Sequence, residues 1–244
     1  MRGMRKISEV MEVREMLEDK EAISYLPSPL SPPALFPASG HQSVPAASSR
    51  SHLSPGLVAG VDEVGRGCLF GPVVAAAVIL PDAAAAELVA AGLKDSKKLT
   101  SVGRRRFAEQ IQAVAIDYKI GFARVEEIDR LNIFHGSLLA MKRAVMKLKV
   151  QPDLCLVDGK WPIPNLPIEQ KTLIKGDEIS PAIAAASIIA KVWRDDLIMR
   201  LALKYPEYDL VGNKGYGTPK HLQALQKYGP SRLHRRSFSP CRSF

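Results

Sequence analysis

The chain lacks any apolar run long enough to cross a membrane as a helix, which takes roughly 18 to 20 residues. Its longest uninterrupted apolar stretch, residues 73–80, has the length of a strand. Hydrophobic residues nevertheless make up 46% of the 244 residues, an ordinary share for a protein with a sizeable core. The composition therefore predicts a globular protein that does not span a membrane.

Cysteine is also scarce. Only three are present, Cys68, Cys155 and Cys241, and they lie far apart in the chain. Their odd number and wide spacing argue against a zinc site or a disulfide framework and favour a reducing, cytoplasmic compartment. Cys68 is predicted to be a small buried thiol and not a reactive one.

Acidic residues are absent after Asp209, which makes the C-terminal segment purely basic. The formal net charge is +9, and residues 1–56 hold six basic and six acidic side chains, so the whole excess lies in residues 57–244. A surface of one sign binds a polyanion by releasing its counterions, which predicts nucleic-acid binding that weakens as salt rises. A solvated basic tail is the alternative interpretation.

Residues 1–56 differ in composition from the rest of the chain. Up to about residue 21, charges of both signs alternate and apolar residues recur as in an amphipathic helix. Residues 27–55 are rich in proline and serine and hold too few large apolar side chains to offset the entropy of ordering a chain. We therefore expect a disordered or partly helical extension over 1–56 and a folded domain over 57–244, with a basic helical region from about 205.

Strand and helix signals alternate through residues 57–244. Short apolar runs between polar or turn residues predict five strands, at 57–61, 73–80, 116–122, 154–157 and 172–174, with the first two forming a hairpin. Helical spacing and possible caps at Ser101, Asn132 and Ser180 predict five helices, at 83–91, 101–115, 132–149, 180–204 and 219–227. This alternation predicts an α/β domain with a mixed sheet and helices on both faces.

Four carboxylates follow predicted strands. Asp62 and Glu63 come after the first strand, Asp158 after the fourth, and Asp177 shortly after the fifth. If the sheet brings these strand ends together, the like charges should raise the pKa of at least one acid. Oxygen ligands suit Mg²⁺, and two such ions about 4 Å apart promote phosphodiester cleavage by activating water and stabilising the leaving oxygen. The acids therefore predict the metal site of a nuclease, although a polar turn is the alternative for Asp62 and Glu63 taken alone.

A glycine-flanked arginine, Gly65-Arg66-Gly67, follows the first acidic pair. The two glycines leave backbone amides open to a ligand, and a guanidinium suits a phosphate. RNA differs from DNA at one nucleotide by its 2′-hydroxyl, which is both a donor and an acceptor. These amides and Arg66 are therefore candidate partners of a ribose.

Six segments resemble, in order along the chain, the motifs of the type 2 ribonucleases H, the ribonuclease HII family. They are residues 60–67 (GVDEVGRG), 94–99 (KDSKKL), 157–159 (VDG), 175–177 (KGD), 184–195 (AAASIIAKVWRD) and 215–218 (GYGT) with His221. Together they extend the resemblance over roughly residues 57–238.

The resemblance implies a ribonuclease H-like fold and a catalytic domain that cuts the RNA strand of RNA-DNA hybrids. It also implies cleavage on the 5′ side of ribonucleotides embedded in duplex DNA, leaving 3′-hydroxyl and 5′-phosphate ends, with two Mg²⁺ or Mn²⁺ ions and a monomeric enzyme. The residues that match the family's catalytic and metal-binding acids are Asp62, Glu63, Asp158 and Asp177. Those that match its substrate contacts are Gly65, Arg66, Gly67, Ser96, Lys97 and Tyr216.

Several alternatives remain open at this point. Glu178 or Asp195 could replace Asp177 as the fourth acid, and Tyr216 taken alone could be an ordinary turn aromatic between two glycines. Two other functions fit parts of the pattern: a resolvase-like DNA endonuclease of similar fold, and a hybrid-binding module without catalysis. Weaker site candidates are Lys191, Arg194 and His221.

Overall fold

The computed structural model describes residues 56–93, 96 and 99–244. The predicted N-terminal helix and proline-rich linker, and also Lys97, lie outside these residues. In the described part of the chain, no helix is both long and apolar enough to pass through a bilayer.

One mixed sheet of five strands forms the centre of the domain. The strands are β1 (Val58–Val64), β2 (Val73–Ile79), β3 (Asp117–Ala123), β4 (Leu154–Asp158) and β5 (Glu169–Leu173). Their order across the sheet is β3-β2-β1-β4-β5. The pairs β1–β2 and β2–β3 are antiparallel, whereas β1–β4 and β4–β5 are parallel. The predicted mixed sheet and the hairpin of the first two strands are thus confirmed.

The helices lie between and after these strands. They are α1 (Asp82–Ala90), α2 (Ser101–Val114), α3 (Val125–Leu131), α4 (Ile133–Met146), α5 (Gly176–Ile179), α6 (Pro181–Ala202), α7 (Leu210–Asn213), α8 (Pro219–Tyr228) and α9 (Ser239–Arg242), with a 3₁₀ turn at Pro206–Tyr208. The five predicted helices are present with ends shifted by a few residues. The short helices α3, α5, α7 and α9 were not predicted, because each has too few residues to show helical periodicity.

Helices α4 and α6 cover opposite faces of the sheet. Ala59 and Val61 of β1 belong to the buried cluster that includes α4. Gly60 lies between them and faces α6, where an added Cβ would collide with the backbone of Ala182. Gly121 in β3 permits a similar close approach of the α4 backbone. The sheet that carries Asp62, Glu63 and Asp158 is therefore packed against a helix on each face.

Two of the three predicted helix caps are confirmed. The side chains of Asn132 and Ser180 each accept a hydrogen bond from the backbone N–H three residues further on, at the starts of α4 and α6. The prediction of Ser101 as a cap is wrong by one residue. Thr100 caps α2 instead, and its Oγ1 accepts from the backbone N–H of Gly103 at 3.1 Å. Both residues are suitable caps, so sequence alone did not distinguish them.

Strand β1 runs further than predicted. It was expected to end at Val61, before the acidic pair, but it continues to Val64. The reason is its pairing with β2, which places Asp62 and Glu63 opposite alanines of the neighbouring strand. A sheet partner therefore overrides the poor strand propensity of the two acids.

Candidate active site

Asp62 and Asp158 are brought together by the register of two parallel strands. Val61 of β1 is paired with Val157 of β4, so the next residue along each strand is one of the two acids. Both valines belong to the core cluster on the α4 face, which puts the side chains of both acids on the α6 face. Neighbouring strands are about 4.8 Å apart. The two carboxylates are therefore close neighbours at one edge of the sheet.

Asp62 is buried and lies close to two other acids. Its side chain is almost entirely buried, with 5% exposed. Its Oδ1 accepts the backbone N–H of Glu63 at 2.7 Å, and Ser187 of α6 supplies a side-chain hydrogen bond. Burial, together with the charges of Glu63 and Asp158, holds the pKa of Asp62 well above its usual range. The expected rise in the pKa of at least one acid is thus confirmed, although burial contributes more to it than the like charges do.

Glu63 faces a different balance of charges. Burial raises its pKa, and the charge of Asp158 adds to that effect. The Arg66 guanidinium opposes it and lies 3.2 Å from Glu63 Oε1. Glu63 thus has an arginine partner that partly offsets its burial.

Asp158 is also held by a backbone donor. Its Oδ1 accepts the N–H of Gly176 at 2.7 Å, which ties the end of β4 to the start of α5. Asp177 is the next residue of α5 and is buried. Glu178 is exposed, and Asp195 is bonded to Lys191 at 2.7 Å one turn earlier on α6. Of Asp177, Glu178 and Asp195, Asp177 is thus the buried one, and it directly follows the glycine that bonds to Asp158.

A cleft of about 290 Å³ opens over these strand ends. Nine of the candidate residues line it: Asp62, Glu63, Gly65, Arg66, Gly67, Ser96, Asp158, Tyr216 and the weaker candidate Lys191. Asp177 is not among the lining residues, and Lys97 falls outside the described residues. The cleft is therefore lined by acids together with a glycine-arginine turn and a tyrosine.

The turn formed by Gly65, Arg66 and Gly67, here called the GRG turn, is built on a buried arginine. Arg194 of α6 is fully buried and donates to the carbonyls of Phe70, Pro72 and Lys214 at 2.9, 3.2 and 3.0 Å. Gly65 has a φ of 89°, and an added Cβ there would collide with the Arg194 side chain. Glycine is thus required at position 65 both by the backbone conformation and by the available space. Arg194, a weaker site candidate from the sequence, therefore supports the chain around the GRG turn from inside the protein.

Two polar lining residues were not singled out from the sequence. Ser187 bonds to Asp62, and its Oγ also lies 2.9 Å from the Oγ of the buried Ser96. Arg104 of α2 donates to the carbonyls of Ser96 and Leu99 at 2.8 and 2.6 Å. The Ser96 hydroxyl is therefore already engaged inside the protein. Ser187 lies within one of the six family-like segments, which was the available signal for it, whereas Arg104 had none.

Tyr216 also lines the cleft. Its ring is 41% exposed, and its backbone forms a bridge with Cys68, which directly follows the GRG turn. Its carbonyl oxygen lies 2.8 Å from Nδ1 of the buried His221. A half-exposed aromatic ring beside open amides is able to stack on a nucleotide. As predicted, Cys68 is fully buried.

The donor set of the cleft fits a hard divalent cation. It consists of carboxylate oxygens, and Asp62 has a raised pKa that a nearby cation would lower. In residues 56–93, 96 and 99–244, no three acidic, histidine or cysteine side chains are grouped closely enough to hold an ion by themselves. Mg²⁺ is usually held by one or two carboxylates together with waters and a substrate phosphate. The carboxylates are therefore suited to a cation whose remaining ligands are waters and, when present, a substrate phosphate.

Comparison with known proteins gives a consistent result. Residues 59–241 match the family profile of ribonuclease HII. Ribonuclease HII of Trichormus variabilis is 64% identical over 186 residues, which are 76% of this chain and 83% of that protein. Ribonuclease HII of Synechocystis sp. is 54% identical over 181 residues, which are 74% of this chain and 95% of that protein.

Solved structures share the fold. The ribonuclease H2 of Pyrococcus horikoshii has a TM-score of 0.65 and 28% identity, and the match covers 77% of this chain and 96% of that one. The ribonuclease HII of Archaeoglobus fulgidus, solved in a complex with PCNA, has a TM-score of 0.59 and 28% identity, with 75% and 95% covered.

The mixed sheet with an acid-lined cleft at its edge defines a nuclease of the ribonuclease H-like class. Within that class, the match over residues 59–241 and the identities above 50% show that the chain belongs to the ribonuclease HII family. It is an endoribonuclease that acts on RNA-DNA hybrids, and the family depends on divalent metal ions in general.

Proposed function

We propose that this enzyme cuts on the 5′ side of ribonucleotides, including single ribonucleotides embedded in duplex DNA, and leaves 3′-hydroxyl and 5′-phosphate ends. The observation that carries the proposal is the placement of the GRG turn and Tyr216 in the same cleft as Asp62 and Asp158. In that arrangement, a ribose held by the turn would bring its neighbouring phosphate to the acids.

Four acids form the proposed metal-binding group: Asp62, Glu63, Asp158 and Asp177. Asp62 and Asp158 have the strongest support, because strand register makes them neighbours. Divalent ions, when bound there, lower the pKa of the attacking water and stabilise the leaving oxygen. Mg²⁺ and Mn²⁺ both suit oxygen ligands, and we propose that either serves.

The GRG turn and Tyr216 would recognise the sugar and hold the strand. The Arg66 side chain is half exposed and able to contact a phosphate if it exchanges its pairing with Glu63. The amides of the GRG turn are the proposed partners of the 2′-hydroxyl, and Tyr216 would stack on the next nucleotide. Ser96 and Lys97 are the proposed contacts to the phosphates beyond the cut.

We propose a monomer as the catalytic unit, as the resemblance to the family implies. Size-exclusion chromatography with light scattering during turnover conditions would test this part of the proposal directly.

The test of the proposed function compares duplexes that differ at one position. One carries a single ribonucleotide, the second is all DNA, and the third is a continuous RNA-DNA hybrid, each with Mg²⁺, Mn²⁺ or EDTA. We expect the first and third to be cut only with metal, and the end groups of the first to show a single break on the 5′ side of the ribonucleotide. Equal cutting of the all-DNA duplex would indicate a DNA endonuclease instead.

A variant separates catalysis from binding in the same assay. Asp62→Asn should lose turnover and keep affinity for the single-ribonucleotide duplex, whereas the exposed control Glu87→Gln should resemble the wild type in both. If Asp62→Asn turned over normally, the acids would not form the catalytic centre.

A further inference from the structure

A short C-terminal segment lies behind both substrate-facing elements of the cleft. We call residues 231–235 the strap. The N–H of Gly71 donates to the Leu233 carbonyl and the N–H of Arg235 donates to the Leu69 carbonyl, both at 2.8 Å. Phe70 and His234 form an antiparallel bridge between these two contacts. The strap is therefore paired, as a small strand would be, with the chain that leaves the GRG turn.

Arg235 reaches from the strap to the GRG turn itself. Its side chain is fully buried, its Nε donates to the Gly71 carbonyl at 2.9 Å, and its Nη1 donates to the Arg66 carbonyl at 2.8 Å. In the described part of the chain, its Nη2 has no hydrogen-bond partner. Burial and the nearby Arg194 lower the pKa of Arg235 to about 9. Burying an arginine that keeps an unpaired N–H group costs folding free energy. This cost suggests that Arg235 has a role beyond packing.

The contact with the Arg66 carbonyl has a geometric consequence. A trans peptide is planar, and its C=O and N–H point in opposite directions. No peptide bond between the described residues is cis. When Arg235 holds the Arg66 carbonyl from inside the protein, the Gly67 N–H of the same peptide is turned the other way, towards the exposed side. Arg235 thus sets the direction of an amide that is open to a ligand.

His234, the neighbouring residue of the strap, reaches the second element through another histidine. The Tyr216 carbonyl can only accept, so Nδ1 of His221 carries the proton and donates to it at 2.8 Å. The rings are neutral at pH 7, because burial lowers the pKa of His221 and lowers that of His234 to about 3. Nε2 of His221 therefore accepts from Nε2 of His234 at 3.0 Å. Nδ1 of His234 in turn accepts the backbone N–H of Ser231 at 2.9 Å.

The strap is also fixed at its far end. The backbone N–H groups of Arg236 and Ser237 donate to the carboxylate of Asp129 on α3 at 3.0 and 2.9 Å, and the Ser237 hydroxyl adds a third bond at 2.6 Å. Because one end is attached to α3, the strap can hold the GRG turn and Tyr216 in fixed positions relative to each other.

We propose that the strap is a positioning element for substrate recognition, in which Arg235 orients the GRG turn and His234 orients Tyr216 through His221. Neither residue lines the cleft, so each acts through another group and not by touching the substrate. The inference rests on the proposed roles of the GRG turn and Tyr216. The inference adds that the GRG turn and Tyr216 depend for their positions on strap residues, which lie far along the chain and behind the site.

The test uses Arg235→Lys in the full chain. Lysine keeps the charge but has a single donor group, so it cannot hold the Gly71 and Arg66 carbonyls in the same fork. A misplacement of about 1 Å costs up to about a hundredfold in rate, and we expect kcat on the single-ribonucleotide duplex to fall about tenfold to a hundredfold. KM should change little, because the charged contacts to the strand remain. The rise in melting temperature on adding Mg²⁺ should be retained, because the acids lie on β1 and β4.

Two further variants keep the result decisive. Arg236→Gln removes a charge from the exposed neighbour, and it should weaken binding of the single-ribonucleotide duplex and the continuous hybrid equally while kcat is kept. His234→Phe keeps the ring but loses both nitrogens, and should lower kcat in the same way as Arg235→Lys. If Arg235→Lys does not fold, His234→Phe provides the test by itself.

The possible outcomes distinguish failure of the strap proposal from failure of the proposed function. Wild-type kcat in folded Arg235→Lys, or in His234→Phe when it is the variant that folds, would overturn the strap proposal. A parallel loss of the Mg²⁺ response would do the same, because it would show a general structural role. If the wild-type enzyme cut the continuous hybrid but not the single-ribonucleotide duplex, the proposed function would fail, and the variants would then be compared on the hybrid.

Discussion

Replacement of Asp62 by asparagine should make the metal-free protein more stable while removing its activity. Asp62 is buried beside Glu63 and Asp158, and burial and those two charges raise its pKa. Asparagine has nearly the same shape, and its oxygen can still accept the N–H that Asp62 accepts from Glu63. The substitution therefore removes a charge and leaves the local packing in place.

The size of the effect follows from the strand spacing. Two charges about 5 Å apart repel by about 3 kcal/mol at an effective dielectric constant of about 20. Partial protonation of Asp62 already relieves some of this repulsion in the wild type. We therefore expect a gain in the free energy of unfolding of about 1 to 3 kcal/mol, which corresponds to about 3 to 9 °C in melting temperature for a domain of this size.

The gain should depend on pH in a defined direction. The pKa of Asp62 is higher in the folded protein than in the unfolded chain, so the folded state binds more protons and loses stability as pH rises between the two values. Below the unfolded pKa, about 3.9, the penalty is absent. The advantage of Asp62→Asn should therefore be small near pH 4, grow as pH rises, and level off above the folded pKa.

Thermal melts in EDTA at a series of pH values measure this directly. Glu87→Gln, an exposed acid on α1, is the control, and it should change stability by less than about 0.5 kcal/mol. Mg²⁺ should stabilise the wild type more than Asp62→Asn, because a ligand stabilises only the state that binds it. If Asp62→Asn were no more stable than the wild type in EDTA at pH 8, the acids would not repel one another as described.

Three other substitutions have defined outcomes. Tyr216→Ala should weaken binding of the single-ribonucleotide duplex by about 1 to 3 kcal/mol and Tyr216→Phe by much less, which a titration at fixed salt would show; equal losses would exclude stacking. Gly65→Ala should lower kcat at least about tenfold, because alanine fits neither the positive φ nor the space beside Arg194, and normal kinetics would refute this account of the turn. Arg143→Ala should lower the free energy of unfolding by about 1 to 2 kcal/mol at pH 7, because Arg143 bonds both oxygens of Glu127 at 2.7 and 2.8 Å. That loss should shrink in melts below about pH 4, because Arg143 lowers the pKa of Glu127 and the stabilisation disappears as Glu127 is protonated; a loss independent of pH would contradict it.

Local chemistry in the sequence was enough for much of the fold. Ser180 before Pro181, and Asn132 before an apolar periodic run, announce helix starts that the structure confirms. These signals are readable because a cap satisfies backbone donors only a few residues away. Where two neighbouring residues could serve equally, as Thr100 and Ser101 could, the local signal gave the wrong one.

Long-range pairing was the part that sequence could not supply. Asp62 and Glu63 lie inside a strand because β2 pairs with them, and nothing within a few residues of the acids indicates this. Arg235 is 169 positions from the carbonyl of Arg66 that it holds. In sequence it looked like one more basic residue of a charged tail. Its burial depends on a fold that brings both ends of the domain together.

Two pairs of like charges lie at the cleft. Asp62 and Asp158 repel each other in its lining. Behind the GRG turn, Arg194 and Arg235 are both buried, and the charge of Arg194 lowers the pKa of Arg235. The side chains of Arg194 and Arg235 donate to backbone carbonyls and not to Asp62 or Asp158, so these two arginines do not neutralise the two acids. Cations relieve the first repulsion and a phosphate chain relieves the second. Because metal relieves one repulsion and nucleic acid the other, the free protein gives up stability that its complex with both regains.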